Sequence, residues 1–398
     1  SASEGWISVG NGKLLHTVNS GSNWTVVSPE PVDTLFSWSD PAISMSFINS
    51  STGWIVRTKG NFNQWNGAVA YKTTNGGNSW TKLSIPVHDA GMYIQFLDAN
   101  TGWMLLFNTN FTGGGLYKTT NGGTNWTAMN PPGGGIPFFV NSNTGWIFPA
   151  GAEGTTSDTI IKTTNGGLNW TKPWGTNEQV GFNAMHFSDV NNGWVVGRFG
   201  DVLKTTNGGN SWTYLTNTGL TSGHHCKAVF FINANTGWIA TKADGTQTSY
   251  VLYTNDGGNT WSRQTHPSMD YSIFSIHFFD ANNGGLTEDY GGIYHTTNGG
   301  VRVNTISTEV PTSYSLSQNY PNPFNPETKI RFTVAKSGHV KITTADVLGR
   351  EVNMLVNEIL QPGSYEVSLN GIQMTSGVYF YTMQTEYFMQ TKRMILQK

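Results

Sequence analysis

The residues that could carry chemistry are few and scattered. Asp40, Asp201, Asp270, Glu288 and Asp289 are carboxylates that a two-carboxylate glycosidase could use, one as acid and one as base or nucleophile. Arg57, Arg198 and Arg263 could clamp an anionic group. His224-His225-Cys226 offers three donors for a metal, but neighbours on a strand point to opposite sides and cannot share one ion. Trp38, Trp65 and Trp174, with Tyr290, could stack on a sugar ring or anchor a protein contact. Acids are common in any loop, so this set specifies no reaction. The Gly-Gly pairs sit in hairpins rather than between a strand and a helix, so no phosphate loop is present. No cofactor and no metal site is expected.

The bulk composition narrows the field. The 398 residues include 48 glycines, 13% aromatics and only 12% charged residues, which favours strands and turns over helices. A formal charge of −2 gives no reason to expect nucleic acid as a partner. No run of 18 apolar residues could span a bilayer as a helix. With Cys226 as the single cysteine, no intramolecular disulfide can form. The chain opens at Ser1 with no apolar leader, which reads as a processed or truncated product.

The elements that must position these residues come from a repeat. The segment Tyr/Ile/Leu-x-Thr-Thr-Asn-Gly-Gly-x-x-Trp-Thr recurs at 71–81, 117–127, 161–171 and 203–213, with looser copies at 15–25, 252–262 and 294–304. Its marks are Asn75 and Trp80, Asn121 and Trp126, Asn165 and Trp170, Asn207 and Trp212, and Asp256 and Trp261. Upstream of each copy lies a Gly-Trp pair, at Trp6, Trp54, Trp103, Trp146, Trp194 and Trp238, with Gly285 in the last. Twelve of the fifteen tryptophans fall on these two positions, so the pattern is the architecture. Asn and Gly tolerate positive φ and suit tight turns. Each unit predicts four short strands; in the fifth these are 184–187, 193–198, 202–206 and one beginning at Ser211. The expected fold is all-β, a seven-bladed β-propeller followed by a small Ig-like β-sandwich. Residues 1–305 form the propeller, 306–317 a linker and 318–398 the sandwich.

The first and last units are incomplete. Ser1–Trp6 aligns with the turn between the first and second strands of other units, so a segment upstream of Ser1 is expected to supply the missing strand. In the last unit only 301–306 could serve as the outer strand.

The repeat resembles the Asp-box (BNR) repeat of sialidases, sortilin-type propellers and photosystem assembly factors of the Ycf48 type, most closely the last. That resemblance implies the fold over about residues 1–300. In those families the box is a structural turn remote from the binding face, which fits Asn in place of Asp in six of seven copies. A sialidase would need three suitably placed arginines, and Arg263 follows an outer-strand Trp. The Ycf48-type arginine cluster for a photosystem subunit would have only Arg57 and Arg198 here, so that partner does not carry over.

Residues 318–398 contain Asn-Tyr-Pro-Asn-Pro-Phe-Asn-Pro (319–326), Asp-Val-Leu-Gly-Arg-Glu-Val (346–352) and Ser-Gly-Val-Tyr-Phe-Tyr (376–381). These resemble the type A sorting domain of the type IX secretion system, with Thr344-Ala345 where the family usually has Ile-Tyr. The resemblance implies export across an outer membrane, a secreted or cell-surface location, a contact with the secretion machinery and an origin in Bacteroidota or related phyla. Asp33-Thr34-Leu35 and Asp158-Thr159-Ile160 resemble O-glycosylation sites of such proteins, and both are expected in loops.

The functional expectation is a non-enzymatic propeller that binds an extracellular protein or glycan, or assembles with its own copies. The alternative is a secreted glycoside hydrolase. The candidate ligand-binding residues, on the face opposite the Asn-Gly-Gly turns, are Trp38, Arg57, Trp65, Trp174, Arg198, Glu288 and Tyr290.

Overall fold

The computed structural model describes residues 3–9, 13–29, 44–61, 64–88, 90–107, 115–132, 135–148, 158–176, 181–220, 223–243, 249–264, 272–288, 292–300, 303–371 and 374–398. They form antiparallel sheets with a single short 3-10 turn, Arg198–Gly200. Seven sheets follow one another from Gly5 to Thr296. The five middle ones have four strands in sequential order, and the first and last have three among the described residues. We call the four positions leading, second, third and trailing. The leading strands of successive sheets lie against one another. The strands of the fifth sheet are Phe182–Phe187, Gly193–Gly197, Val202–Thr205 and Thr213–Tyr214, matching the sequence expectation to within a few residues at their ends.

One aromatic column joins each sheet to the next, and the Gly-Trp pair explains it. Trp54 stacks on Phe96, the last residue of the next leading strand, with ring centroids 3.7 Å apart and planes 5° from parallel. The same stack joins Trp6 to Phe47, Trp103 to Phe139, Trp146 to Phe187, Trp194 to Phe231 and Trp238 to Phe278. Within its own sheet each of these phenylalanines lies over the glycine that opens the second strand. A Cβ on Gly53, Gly102, Gly145, Gly193, Gly237 or Gly284 would sit 2.3–2.7 Å from that ring. A lysine ammonium covers the other face of Trp54, Trp103, Trp146 and Trp194 at 5.0–5.7 Å. The trailing-strand tryptophans meet the same phenylalanines edge-on, as Trp80 does Phe47. Five Gly-Trp indoles, Trp54 to Trp238, are wholly buried, so each interface gains several kcal/mol from burial and about 1 kcal/mol more from stacking. The wedge between sheets is thus filled by the second-strand Trp, with the trailing Trp at its rim.

The Asn-Gly-Gly turn is a hydrogen-bonded knot. Asn75 Oδ1 accepts from Thr73 Oγ1 at 3.0 Å and Ser79 N at 2.9 Å, while Gly77 N donates to Thr73 Oγ1 at 2.9 Å. Gly76 and Gly77 have φ of 71° and 97°, the left-handed region. Asp256 makes the same contacts through Oδ1, so one side-chain oxygen suffices and Asn and Asp interchange.

Beyond Thr296 two four-stranded sheets enclose a separate core that includes Phe324, Ile330, Phe332, Tyr381 and Met394. Asn319 donates to Thr328 Oγ1 and Pro321 O, its own N–H donates to Tyr381 Oη, and Tyr381 donates to Ser317 O, all within 3.0 Å. Phe324 is buried and its N–H donates to Ile395 O. The strand Glu351–Leu360 is an element the sequence reading did not delimit.

The segment expected to close the last sheet does something else. Val303–Ser307 pairs with Gly363–Asn370 in the C-terminal sheets, and Val303 packs on their core. The Asn-Gly-Gly turn of the last unit also points there: Asn298 Nδ2 donates to Leu355 O at 3.2 Å, and Asn357 Nδ2 to Thr297 O at 3.4 Å. The turn Asn diverts its amide, which in Asn75 and Asn207 bonds a serine two positions past the second glycine.

Candidate functional site

Arg57 and Glu288 hold one register position. Each is the fourth residue after the glycine opening a second strand, Gly53 and Gly284, and each is buried, at 7% and 6% exposure. They belong to the second and last of the seven sheets, at the end opposite the Asn-Gly-Gly turns. Gly91 and Gly292 make room for them. A Cβ on Gly91 would lie 3.1 Å from Arg57 O and 2.4 Å from Val56, and one on Gly292 would lie 2.7 Å from Glu288 Oε2.

Arg198 comes one residue later in the fifth sheet, at the start of the 3-10 turn. Its N–H donates to Gly181 O at 3.2 Å, and Asp201 N closes the turn on Arg198 O at 3.2 Å. The turn contains a residue that sequence reasoning missed. Phe199 has φ of 60°, a conformation that costs a non-glycine residue about 1–2 kcal/mol, and its side chain is 54% exposed. Its ring lies 5.6 Å from that of His225. Gly-Arg-Phe-Gly gives no hint in sequence that the aromatic, rather than a glycine, takes the left-handed place.

The remaining candidates are dispersed. Trp174 stands on the trailing strand Thr171–Thr176, half-buried against the Trp146–Phe187 core, with Phe182 at 6.3 Å and Trp212 at 6.4 Å. Trp65 sits in the strand Gln64–Thr73, across a hairpin from Gly60. Trp38, Asp40, Asp270, Asp289, Tyr290 and Asp33-Thr34-Leu35 lie outside the described residues. Asp158-Thr159-Ile160, expected in a loop, opens the strand Asp158–Thr163, where Asp158 pairs with Thr176. His224 and Cys226 are buried and His225 is not, as alternation along their strand requires. Burial, then the Asp201 carboxylate, pushes the Cys226 thiol up, so it stays protonated and inert. Among the described residues no three His, Cys, Asp or Glu side chains converge as metal ligands.

A line of side chains on the leading strands has no counterpart in the sequence reading. In three sheets the residue before the stacked phenylalanine reaches the backbone of the next leading strand. Ser46 Oγ accepts from Phe96 N at 2.9 Å, Gln95 accepts from and donates to Phe139 N and O at 2.9 and 2.8 Å, and His186 Nδ1 accepts from Phe231 N at 3.4 Å. Burial, and then His277, push His186 down to about 3.

These sheets, their stacked interfaces and their leading strands laid side by side define a β-propeller. The comparisons agree. Residues 176–319 match the family model "Photosynthesis system II assembly factor YCF48", and residues 318–397 match "Secretion system C-terminal sorting domain". A structure of YCF48 bound to a D1 peptide superposes with a TM-score of 0.55 at 19% identity, covering 75% of this chain and 89% of that one. YCF48 from Cyanidioschyzon merolae gives 0.54 at 20%, covering 74% and 91%. A GH74 xyloglucanase from Xanthomonas campestris gives 0.55 at 11%, covering 98% and 71%. At these identities the likeness is one of fold. No curated protein sequence matched. The sorting domain indicates a secreted or outer-surface protein and points to a secretion machinery as its route there. No helix among the described residues is long and apolar enough to cross a membrane.

Proposed function

We propose that this chain is a non-enzymatic binding or scaffold protein of the cell surface or its surroundings. In this reading a seven-bladed Asp-box propeller (1–305) is followed by a linker (306–317) and an Ig-like type A sorting domain (318–398). The loop end opposite the Asn-Gly-Gly turns takes an extracellular protein or glycan, or a second copy of the chain. The observation that carries the reading is Phe199: a large apolar ring held in water, in a strained backbone conformation, beside Arg198. Strain of that kind persists where a function uses it, and an Arg-aromatic pair is a common binding anchor. Screening the 398-residue protein against a glycan array and against extracts of its native surroundings tests this. Partners captured by the wild type should be lost with Phe199→Ala or Arg198→Ala. Capture unchanged by both would refute the assignment.

The second reading, a glycoside hydrolase, is favoured by Glu288, a buried carboxylate at the same loop end. It stands if the protein hydrolyses a glycan and Glu288→Gln abolishes turnover without loss of the fold.

A further inference from the structure

The C-terminal sandwich has strand edges to cover on two sides, and a different part of the chain covers each. One sheet runs in the order Val303–Ser307, Gly363–Asn370, Glu327–Val334, Ser315–Leu316. The other runs Glu351–Leu360, Gly338–Ala345, Gly377–Gln384, Met389–Leu396. The edge of Met389–Leu396 is covered by the Asn-Tyr-Pro-Asn-Pro-Phe motif. Phe324 N–H donates to Ile395 O at 2.9 Å, Gln397 N–H donates to Phe324 O at 3.0 Å, and Asn322 Oδ1 accepts from Ile395 N at 2.9 Å. This cover lies within residues 318–397, the part that matches the sorting family.

On the opposite side the cover is the end of the propeller repeat. Val303–Ser307 pairs with Gly363–Asn370, with Val303 opposite Val367 and packed on the sandwich core. Gly363 suits the approach, because a Cβ there would lie 2.8 Å from Ser307 O. The turn before this strand reaches the outer strand of the second sheet. Asn298 Nδ2 donates to Leu355 O at 3.2 Å, Asn357 Nδ2 to Thr297 O at 3.4 Å, and Thr297 Oγ1 to Asn357 O. Thr297, Asn298 and Val303–Ser307 thus bond the outer strands of both sheets, and all of them precede residue 318. Without them Gly363–Asn370 would become a bare edge strand, with buried Tyr365 and Val367 along it.

We propose that the export signal of this chain includes residues 297–307. The end of the propeller is a working part of the sorting domain, and the sandwich is read for export only with that strand in place. This rests on the reading of 318–398 as an export signal and extends it into the passenger. The physical reason is stability at the edge. A sandwich of this size has little stability to spare, and a bare edge offers its backbone donors and acceptors to any other chain. The strand also follows directly on the last Asn-Gly-Gly turn, whose Asn298 clasps Leu355. A passenger whose last unit is not built therefore presents an incomplete signal, and export is tied to a finished propeller.

The test uses the 398-residue chain in a host that has a type IX secretion system, with exported and periplasmic fractions measured. Deleting 318–398 should abolish export. Val303→Asp, which leaves all of 318–398 unchanged, should lower the exported fraction about fivefold or more. Asn298→Asp keeps the turn contacts, as Asp256 does in its own turn, but sets a carboxylate against Leu355 O. It should lower export in the same direction and carries the test if Val303→Asp does not fold. Asn75→Asp, the same change in the second sheet, should leave export unchanged. In the purified variants amide exchange should quicken in Gly363–Asn370 and not in the propeller strands, which separates loss of the edge from general unfolding. Export intact without 318–398 would refute the reading of the tail as the signal. Export lost on that deletion but untouched by Val303→Asp and Asn298→Asp, or lowered as much by Asn75→Asp, would overturn the role of 297–307 alone.

Discussion

Gln264 stands in the way of Trp238: its Nε2 donates to the Gly299 carbonyl, and the buried Trp238 indole N–H has no hydrogen-bond partner. In the five earlier interfaces that carbonyl takes the indole instead, as Gly122 O takes Trp54 at 3.0 Å. Trp54→Phe strands a carbonyl, whereas Trp238→Phe removes a donor that is already unsatisfied. Trp54→Phe should therefore cost about 1–2 kcal/mol more than Trp238→Phe in chemical denaturation. Equal losses would show that the indole bond contributes nothing.

Ser20 occupies the first glycine position of the turn in the first sheet, with φ of 57°. Ser20→Gly relieves a left-handed non-glycine residue and should stabilise by about 0.5–1 kcal/mol, read as a raised Tm. A lowered Tm would mean the serine side chain earns its place by a contact.

The glycines under the phenylalanines divide sharply. Gly53→Ala drives a Cβ into the Phe47 ring and should cost about 2–3 kcal/mol, while Gly5→Ala, which among the described residues meets only Thr17 Cγ2 at 3.8 Å, should change stability by less than about 0.5 kcal/mol. Thermal unfolding of the two variants beside the wild type decides this.

His186 makes stability depend on pH. An imidazole in the unfolded chain titrates near 6.5, and burial, with His277 on the far side of the Phe230 ring, lowers the folded value to about 3. The folded state thus favours the neutral ring, and its contribution is full above pH 6.5. It is lost as pH falls towards 3, by about 1.4 kcal/mol per pH unit while only the unfolded chain binds the proton. His186→Phe, the residue type at the equivalent Phe138 and Phe230, should reduce the slope of urea midpoints measured between pH 6.5 and 4, leaving the smaller part that His277 and His295, each lowered by desolvation, add in the same direction.

The repeat was legible because each of its residues is dictated by a different local requirement: positive φ for the glycines, one acceptor oxygen for Asn or Asp, a large ring for Trp. The leading phenylalanines were not singled out, because their role is a stack across two sheets that no single unit displays. Glu351–Leu360 escaped notice because bulges interrupt its pairing after Ile342 and Thr344, so its apolar residues do not alternate cleanly. Trp174 reads as a loop aromatic only if the trailing strand is short; here that strand runs six residues. Of the candidate site, the register shared by Arg57 and Glu288 follows from the Gly-Trp spacing, but the backbone twist that presents Phe199 has no signature in residue type.

The strand Val303–Ser307 belongs in sequence to the end of the repeats and in space to the sorting sheets. After it, residues 308–310, 312 and 313 are exposed, and a protease trimming the tail would find its access there. A cut at that stretch breaks the covalent connection but leaves a β-ladder and the Asn298 and Asn357 clasps in place. Severing and parting are then separate events, and a nicked molecule should elute as one species from a sizing column until denaturant is added. Whatever the tail does outside the cell would outlast its removal on a denaturing gel.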